Sequence, residues 1–188
     1  MALMGSGAER IHRMLCSRWC RGPHFTMPPL PESTMFPLRI ALILLLLATG
    51  TADAATLESL LAGSRPPGVV IEVVGLEDGL REGIPRLRET ITRLRERFPE
   101  LDVAVVSHGR EQFALLEEAS RFADVQQDMR ELIEETGVNV HVCGANAERA
   151  GKGPEDFVAF VDVAAHGPRQ IRDYEALGYV RLKLVLRQ

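Results

Sequence analysis

The sequence predicts a single three-layer α/β domain built on a five-stranded, mainly parallel sheet of flavodoxin-like topology. Apolar, β-branched runs alternate with amphipathic helical stretches from residue 68 to the C-terminus. That alternation is the signature of strands joined by right-handed crossovers, with helices on both faces of the sheet. Charged residues are interspersed along the helical stretches, as solvated faces require.

The elements follow in order. Gly63-Ser64-Arg65-Pro66-Pro67-Gly68 reads as the end of a linker, and Val69-Val70-Ile71-Glu72-Val73-Val74-Gly75 as a buried strand bounded by glycines. Pro85 is expected to open a helix on which Leu87, Ile91, Leu94 and Phe98 recur on one face, with Pro99 as its stop. Leu101 to Val106 forms the second strand, and a helical region in two pieces follows, about 111–119 and 124–136, with Gly137 at a left-handed cap. Val138 to Cys143 is the third strand. An irregular segment then runs to Gly153-Pro154, where proline can start a short helix. Phe160 to Ala165 is the fourth strand, Pro168 opens a helix closed by Gly178, and Tyr179 to Val185 is a last strand. Arg181 and Lys183 alternate with apolar residues there, which marks an edge strand with one wet face.

The N-terminal third differs in kind. Arg39 precedes an unbroken apolar run, Ile40 to Ala48, and Ala52-Asp53-Ala54 offers a small-x-small cleavage triplet. Nine to twelve apolar residues rise about 14–18 Å as a helix, short of a hydrocarbon core of roughly 30 Å. Residues 35–54 therefore read as a signal peptide cleaved after Ala54, with export to the periplasm and no membrane anchor afterwards. Residues 1–34 read as an untranslated or disordered leader, 55–67 as a linker and 68–188 as the folded domain. Cys16 and Cys20 have no second ligand pair nearby, so no metal site is expected.

Composition narrows the function. Apolar content of 46% and charged content of 26% suit a folded globular chain, and 22 Lys+Arg against 26 Asp+Glu gives a net charge of −4, which does not suggest a nucleic-acid partner. Three strands end alike: Ser107-His108-Gly109, Val142-Cys143-Gly144 and Ala165-His166-Gly167. In a parallel sheet all such ends share one edge, where ligands bind, and the glycines permit close approach of a ligand. Cys143 is the only cysteine after residue 54. As a thiolate it would be a nucleophile, promoted by positive charge or a helix N-terminus, for which Arg149, Lys152 and the helix start at Pro154 are candidates. As a thiol it could equally be a small buried hydrophobe. His108 and His166 could donate to an anionic sulfur or merely satisfy loop carbonyls. His141 shares the sheet face of Cys143 and reads as a packed residue. The spacing Cys143-x5-Arg149, across Gly144 and Asn146, suits a phosphate-wrapping loop. Glu148 within it and the absence of an evident acid loop count against a phosphatase or rhodanese-like enzyme.

The order and wording of these motifs resemble the DsrE/DsrF-like family of sulfur-relay proteins. The resemblance runs from Arg97-Phe98-Pro99 through Val105-Val106-Ser107-His108-Gly109, then from Glu131-Leu132-Ile133 through Gly137-Val138-Asn139-Val140-His141-Val142-Cys143-Gly144, and closes at Leu177-Gly178-Tyr179. It implies a DsrE-like domain that assembles with copies of itself or related subunits, often as trimers or hexamers. It also implies a strand-end cysteine, by position Cys143, that carries sulfur as a persulfide and passes it between a donor and an acceptor protein. No metal, flavin or nucleotide cofactor is implied. This chain departs from the pattern in its export signal, in His166 where many secreted relatives carry a small hydroxyl residue, and in its C-terminal tail. The expectation is a periplasmic sulfur-handling protein, at most a sulfurtransferase or sulfur carrier. The alternative is a non-catalytic oligomeric binding or scaffold module of the same fold.

Overall fold

A computed structural model describes residues 54–186, and the expected leader and signal peptide lie outside the described residues. The first element, α1 (Leu57–Ala62), occupies the stretch read as a linker. Thr56 caps it by accepting the Ser59 N–H at 3.2 Å, and Leu60 is buried against the core. A six-residue helix is too short to stand alone, and long-range bonds hold it: the Ala55 N–H donates to the Arg181 carbonyl at 3.0 Å, and Arg97 Nε to the Leu61 carbonyl at 3.1 Å.

β1 (Gly68–Gly75) follows, then a 3₁₀ turn and α2 (Leu80–Arg97). The helix starts five residues before Pro85, which lies inside it. Leu80 and Ile84 extend the buried series of Leu87, Ile91 and Leu94, so burial over about one and a half further turns outweighs the one backbone bond that an exposed proline removes. β2 (Asp102–Ser107) leads into a 3₁₀ helix at Arg110–Leu115, a second 3₁₀ turn at Ser120–Phe122, and α3 (Ala123–Thr136). The first piece is tighter than the expected α-helix because it turns Glu111 and Gln112 inward to make hydrogen bonds rather than an apolar stripe. Gly137 ends α3 at φ 61°, the left-handed cap expected.

β3 (Asn139–Cys143) passes directly into α4 (Gly144–Arg149), a helix where an irregular segment was expected. A 3₁₀ turn at Pro154–Asp156 precedes β4 (Asp162–Ala164), which is half the length expected. Phe157, Val158 and Val161 enter the core ahead of the strand, so this apolar run plugs the sheet edge instead of pairing along it. α5 (Gly167–Ala176) and β5 (Val180–Leu186) complete the domain.

All five strands are parallel, in the order β4-β3-β2-β1-β5. The α/β class is the one the sequence predicts, and β5 is an edge strand. The order differs from the 2-1-3-4-5 of flavodoxin in the place of its single reversal. Three successive right-handed crossovers step the same way and set α2, α3 and α4 on one face. The last crossover returns past β1 and sets α5, alone among the described helices, on the other, across β1, β2, β3 and β5. Strand alternation divides the core accordingly. Val69, Ile71, Val73, Val103, Val105, Val140 and Val142 pack with α2 and α3, while Val70 and Val106 pack under Ile171, Tyr174 and Tyr179. His141 and Cys143 fall on the α5 face.

Candidate functional site at the carboxyl rim of the sheet

The reversal in strand order places the site. β3 leads into α4, whose Ala147 joins the larger core, whereas β4 leads into α5 on the opposite face. Between the ends of β3 and β4 the chain therefore parts to both sides of the sheet, the kind of crevice in which open α/β sheets bind ligands. Cys143 ends β3 at this point.

Its sulfur accepts the Gly167 N–H at 3.2 Å. Gly167 is the first residue of the ten-residue α5, so the positive end of that helix faces Sγ. The two elements meet because Gly167 has no side chain: a Cβ there would stand 2.7 Å from His108 Cβ and 3.1 Å from Cys143 Cβ. Gly144 is likewise pressed against the Ala164 carbonyl, where a Cβ would stand at 3.1 Å. The backbone of Cys143 is clamped by a fully buried amide. Gln112 Oε1 accepts the Cys143 N–H at 2.9 Å, and Gln112 Nε2 donates to the Cys143 carbonyl at 3.2 Å. Asn146, on α4, donates to the carbonyls of Gly109 (2.8 Å) and His108 (3.3 Å), fastening α4 to the end of β2. Cys143 is only 4% exposed, yet it belongs to neither apolar cluster; the groups bonded to it are polar.

His108 lies abreast of Cys143, one residue beyond the paired Ser107 and Val142 and on the same sheet face. Its Nε2 does not turn to the sulfur but to Glu72, 2.8 Å from Oε1. Glu72 was not singled out in the sequence, although a lone carboxylate in a run of β-branched residues was the available signal. It is 3% exposed and is also bonded by Arg181 through Nε, at 2.8 Å, and Nη2, with Lys183 Nζ 3.9 Å away. Burial by itself would raise its pKa. The hydrogen bonds from His108 and Arg181, with the charges of Arg181 and Lys183, override that and hold it down to about 2. The wet face expected of β5 is thus a charged cluster covering one buried carboxylate. Glu111, also missed, is fully buried and accepts from Ser107 Oγ, the Gly109 N–H and the Gly75 N–H, tying together the ends of β1 and β2.

The remaining candidates separate. His166 caps α5 next to Gly167 with its side chain exposed and no side-chain cap bond. Arg149 is carried to the last turn of α4 and exposed, so residues 144–149 form a helix and not an anion-wrapping loop. Lys152 pairs with Glu118 at 2.5 Å. The helix terminus that faces the sulfur belongs to α5, not to the turn at Pro154. His141 bonds the Tyr174 hydroxyl at 2.9 Å, and burial pushes its pKa down against the opposing charge of Asp162. Among the described residues no three His, Cys, Asp or Glu side chains converge as metal ligands.

No family model and no curated protein matches this chain. Among solved structures, MTH1491 from Methanobacterium thermoautotrophicum, a protein of unknown function, is similar with a TM-score of 0.52 and 17% identity, over 62% of this chain and 99% of that one. The ychN protein from E. coli aligns at a TM-score of 0.46 and 16% identity, over 64% of this chain and 99% of that one. The likeness to MTH1491 is one of fold: a five-stranded parallel sheet with helices on both faces.

Proposed function

We propose that this protein handles sulfane sulfur, holding it as a persulfide on Cys143 and passing it to an acceptor. The observation that carries the reading is the Gly167 N–H directed at Sγ from the first residue of α5. An N–H donor at a helix N-terminus favours an anionic sulfur over a neutral one, which both a thiolate and a persulfide require. The DsrE/DsrF-like resemblance runs through Cys143 itself, and the fold shared with MTH1491 agrees with it. Within the same proposal the chain is exported to the periplasm and cleaved after Ala54. It works as a homo-oligomer, a trimer or hexamer, or with related subunits, alongside a sulfur donor and acceptor protein.

The test is intact mass measurement after incubation with polysulfide. The expected result is a gain of one sulfur atom (about 32 Da), absent in Cys143→Ser. A thiol that takes up sulfur or alkylating reagent only after denaturation would overturn the proposal. A second reading, a non-catalytic scaffold with Cys143 merely packed, is favoured by the 4% exposure of that residue. It predicts that denaturation-dependent outcome.

A further inference from the structure

We infer that Glu72 is a positioning residue that fixes the tautomer of His108, leaving His108 Nδ1 to exchange a proton with the Cys143 thiol. The inference deepens the proposed sulfur chemistry and rests on it for the identity of the substrate. Its proton-handling part rests on geometry alone.

A carboxylate accepts hydrogen bonds and donates none, so the Nε2 that stands 2.8 Å from Glu72 Oε1 carries a proton. The other oxygen of Glu72 is taken by Arg181, which keeps the carboxylate ionised and in place. Proton exchange at His108 is thereby confined to Nδ1, which has no hydrogen-bond partner among the described residues. Nδ1 is the ring nitrogen nearer the backbone, and His108 adjoins Cys143: the two stand abreast on neighbouring strands, one residue beyond the paired Ser107 and Val142, and a Cβ built at Gly167 would lie 2.7 Å from His108 Cβ and 3.1 Å from Cys143 Cβ. With Glu72 fixed on Nε2 and Cys143 the neighbouring residue on the same sheet face, closure of Nδ1 onto the thiol on substrate binding would complete the arrangement by which nucleophile, base and orienting group act together. The charged and titratable groups facing His108 are Glu72 from β1, Arg181 and Lys183 from β5 through Glu72, and Cys143 from β3. His166 is exposed at the start of α5. Glu111, two residues further on, spends its carboxylate on Ser107, Gly109 and Gly75.

The step balances without an outside oxidant. The Cys143 S–H proton passes to Nδ1, and the thiolate attacks the outer sulfur of a persulfide or polysulfide donor, R–S–SH. A Cys143 S–S bond forms as the donor S–S bond breaks, and His108 returns the proton to the departing R–S⁻. The products are Cys143–S–SH and R–SH.

Two readouts on the full chain test this. Long-range ¹H–¹⁵N correlation of His108 is expected to show the Nε2–H tautomer, with that preference lost in Glu72→Gln. Alkylation of Cys143 by iodoacetamide at neutral pH, which requires the thiolate, is expected to slow about tenfold in His108→Gln, and similarly in Glu72→Gln. The double variant should be no worse than His108→Gln alone, because Glu72 acts through His108. If Glu72→Gln does not fold, His108→Gln, which leaves the Glu72–Arg181 pair intact, decides the matter. An unchanged rate of Cys143 alkylation in folded His108→Gln overturns the inference. Wild-type protein that shows the expected proton behaviour but gains no sulfur from polysulfide overturns the proposed function and leaves the proton pairing standing.

Discussion

Glu72 occupies the centre of a strand whose neighbours in sequence are apolar, and its charge is held by groups from β2 and β5. Its carboxyl falls from an ordinary 4.5 to about 2 on folding. Between those values the unfolded chain binds the proton and the folded chain does not. The contribution of Glu72 is therefore complete above about pH 4.5 and disappears as pH falls toward 2. His141 acts in the same direction at higher pH, since its imidazole is held below the ordinary 6.5 and gains a proton preferentially on unfolding. Denaturant melts across pH 2 to 7 should show stability falling from about pH 6.5 downward and more steeply below 4.5. Glu72→Gln should flatten the lower limb and cost about 2–4 kcal/mol at pH 7, because Arg181 is left without its partner. Gly167→Ala is the complementary test. The added methyl would meet His108 Cβ at 2.7 Å, so it should lower stability by about 1–3 kcal/mol and slow sulfur uptake by Cys143 more than a remote change of equal cost.

At the scale of elements, α2 and α3 are the parts whose boundaries physics reads best and worst. The apolar series along α2 is visible in the sequence, and Leu87 and Leu94 end fully buried. Leu94→Ala should cost about 2–5 kcal/mol in urea unfolding. The start of α2 was not legible, because proline marks a helix start only when burial does not reach further back. The cap of α3 was legible, because Gly137 has φ 61° and nothing within 4 Å of where a Cβ would stand. Gly137→Ala therefore isolates the backbone cost and should lower stability by about 1 kcal/mol, with no effect on Cys143 chemistry. Helix α4 escaped notice since six residues with one buried alanine beyond its leading glycine carry no period. It forms because Asn146 fastens it to the end of β2.

For the molecule as a whole, the N-terminal stretch 55–62 belongs to the domain. It bridges β5 at Leu182 and buries Leu60, and Glu58 pairs with Arg93 at 2.8 Å. Beginning the chain at residue 63 should lower the melting temperature and bare part of the β5 edge, with self-association detectable by light scattering. The succession of five strands along the chain, the helices α2, α3 and α5, and the gathering of Cys143, His108 and His166 at one rim could be read from the sequence. Strand ends are written locally in β-branched runs closed by glycine, and a parallel sheet aligns those ends. What could not be read is which polar groups the rim turns inward. Glu111 and Gln112 look like surface residues in sequence and Glu72 is a lone charge in an apolar run; all three are buried with partners that include groups from distant segments.

The sequence by itself determined the class of fold, the periodic core and the residue types at the sheet edge, because these depend on local pattern and on the handedness of every crossover. Only the tertiary structure decided that the last crossover reverses, bringing the start of α5 onto the sulfur of Cys143 and His108 onto Glu72. Those contacts join residues 24 and 36 positions apart, and no local preference encodes a meeting at that distance.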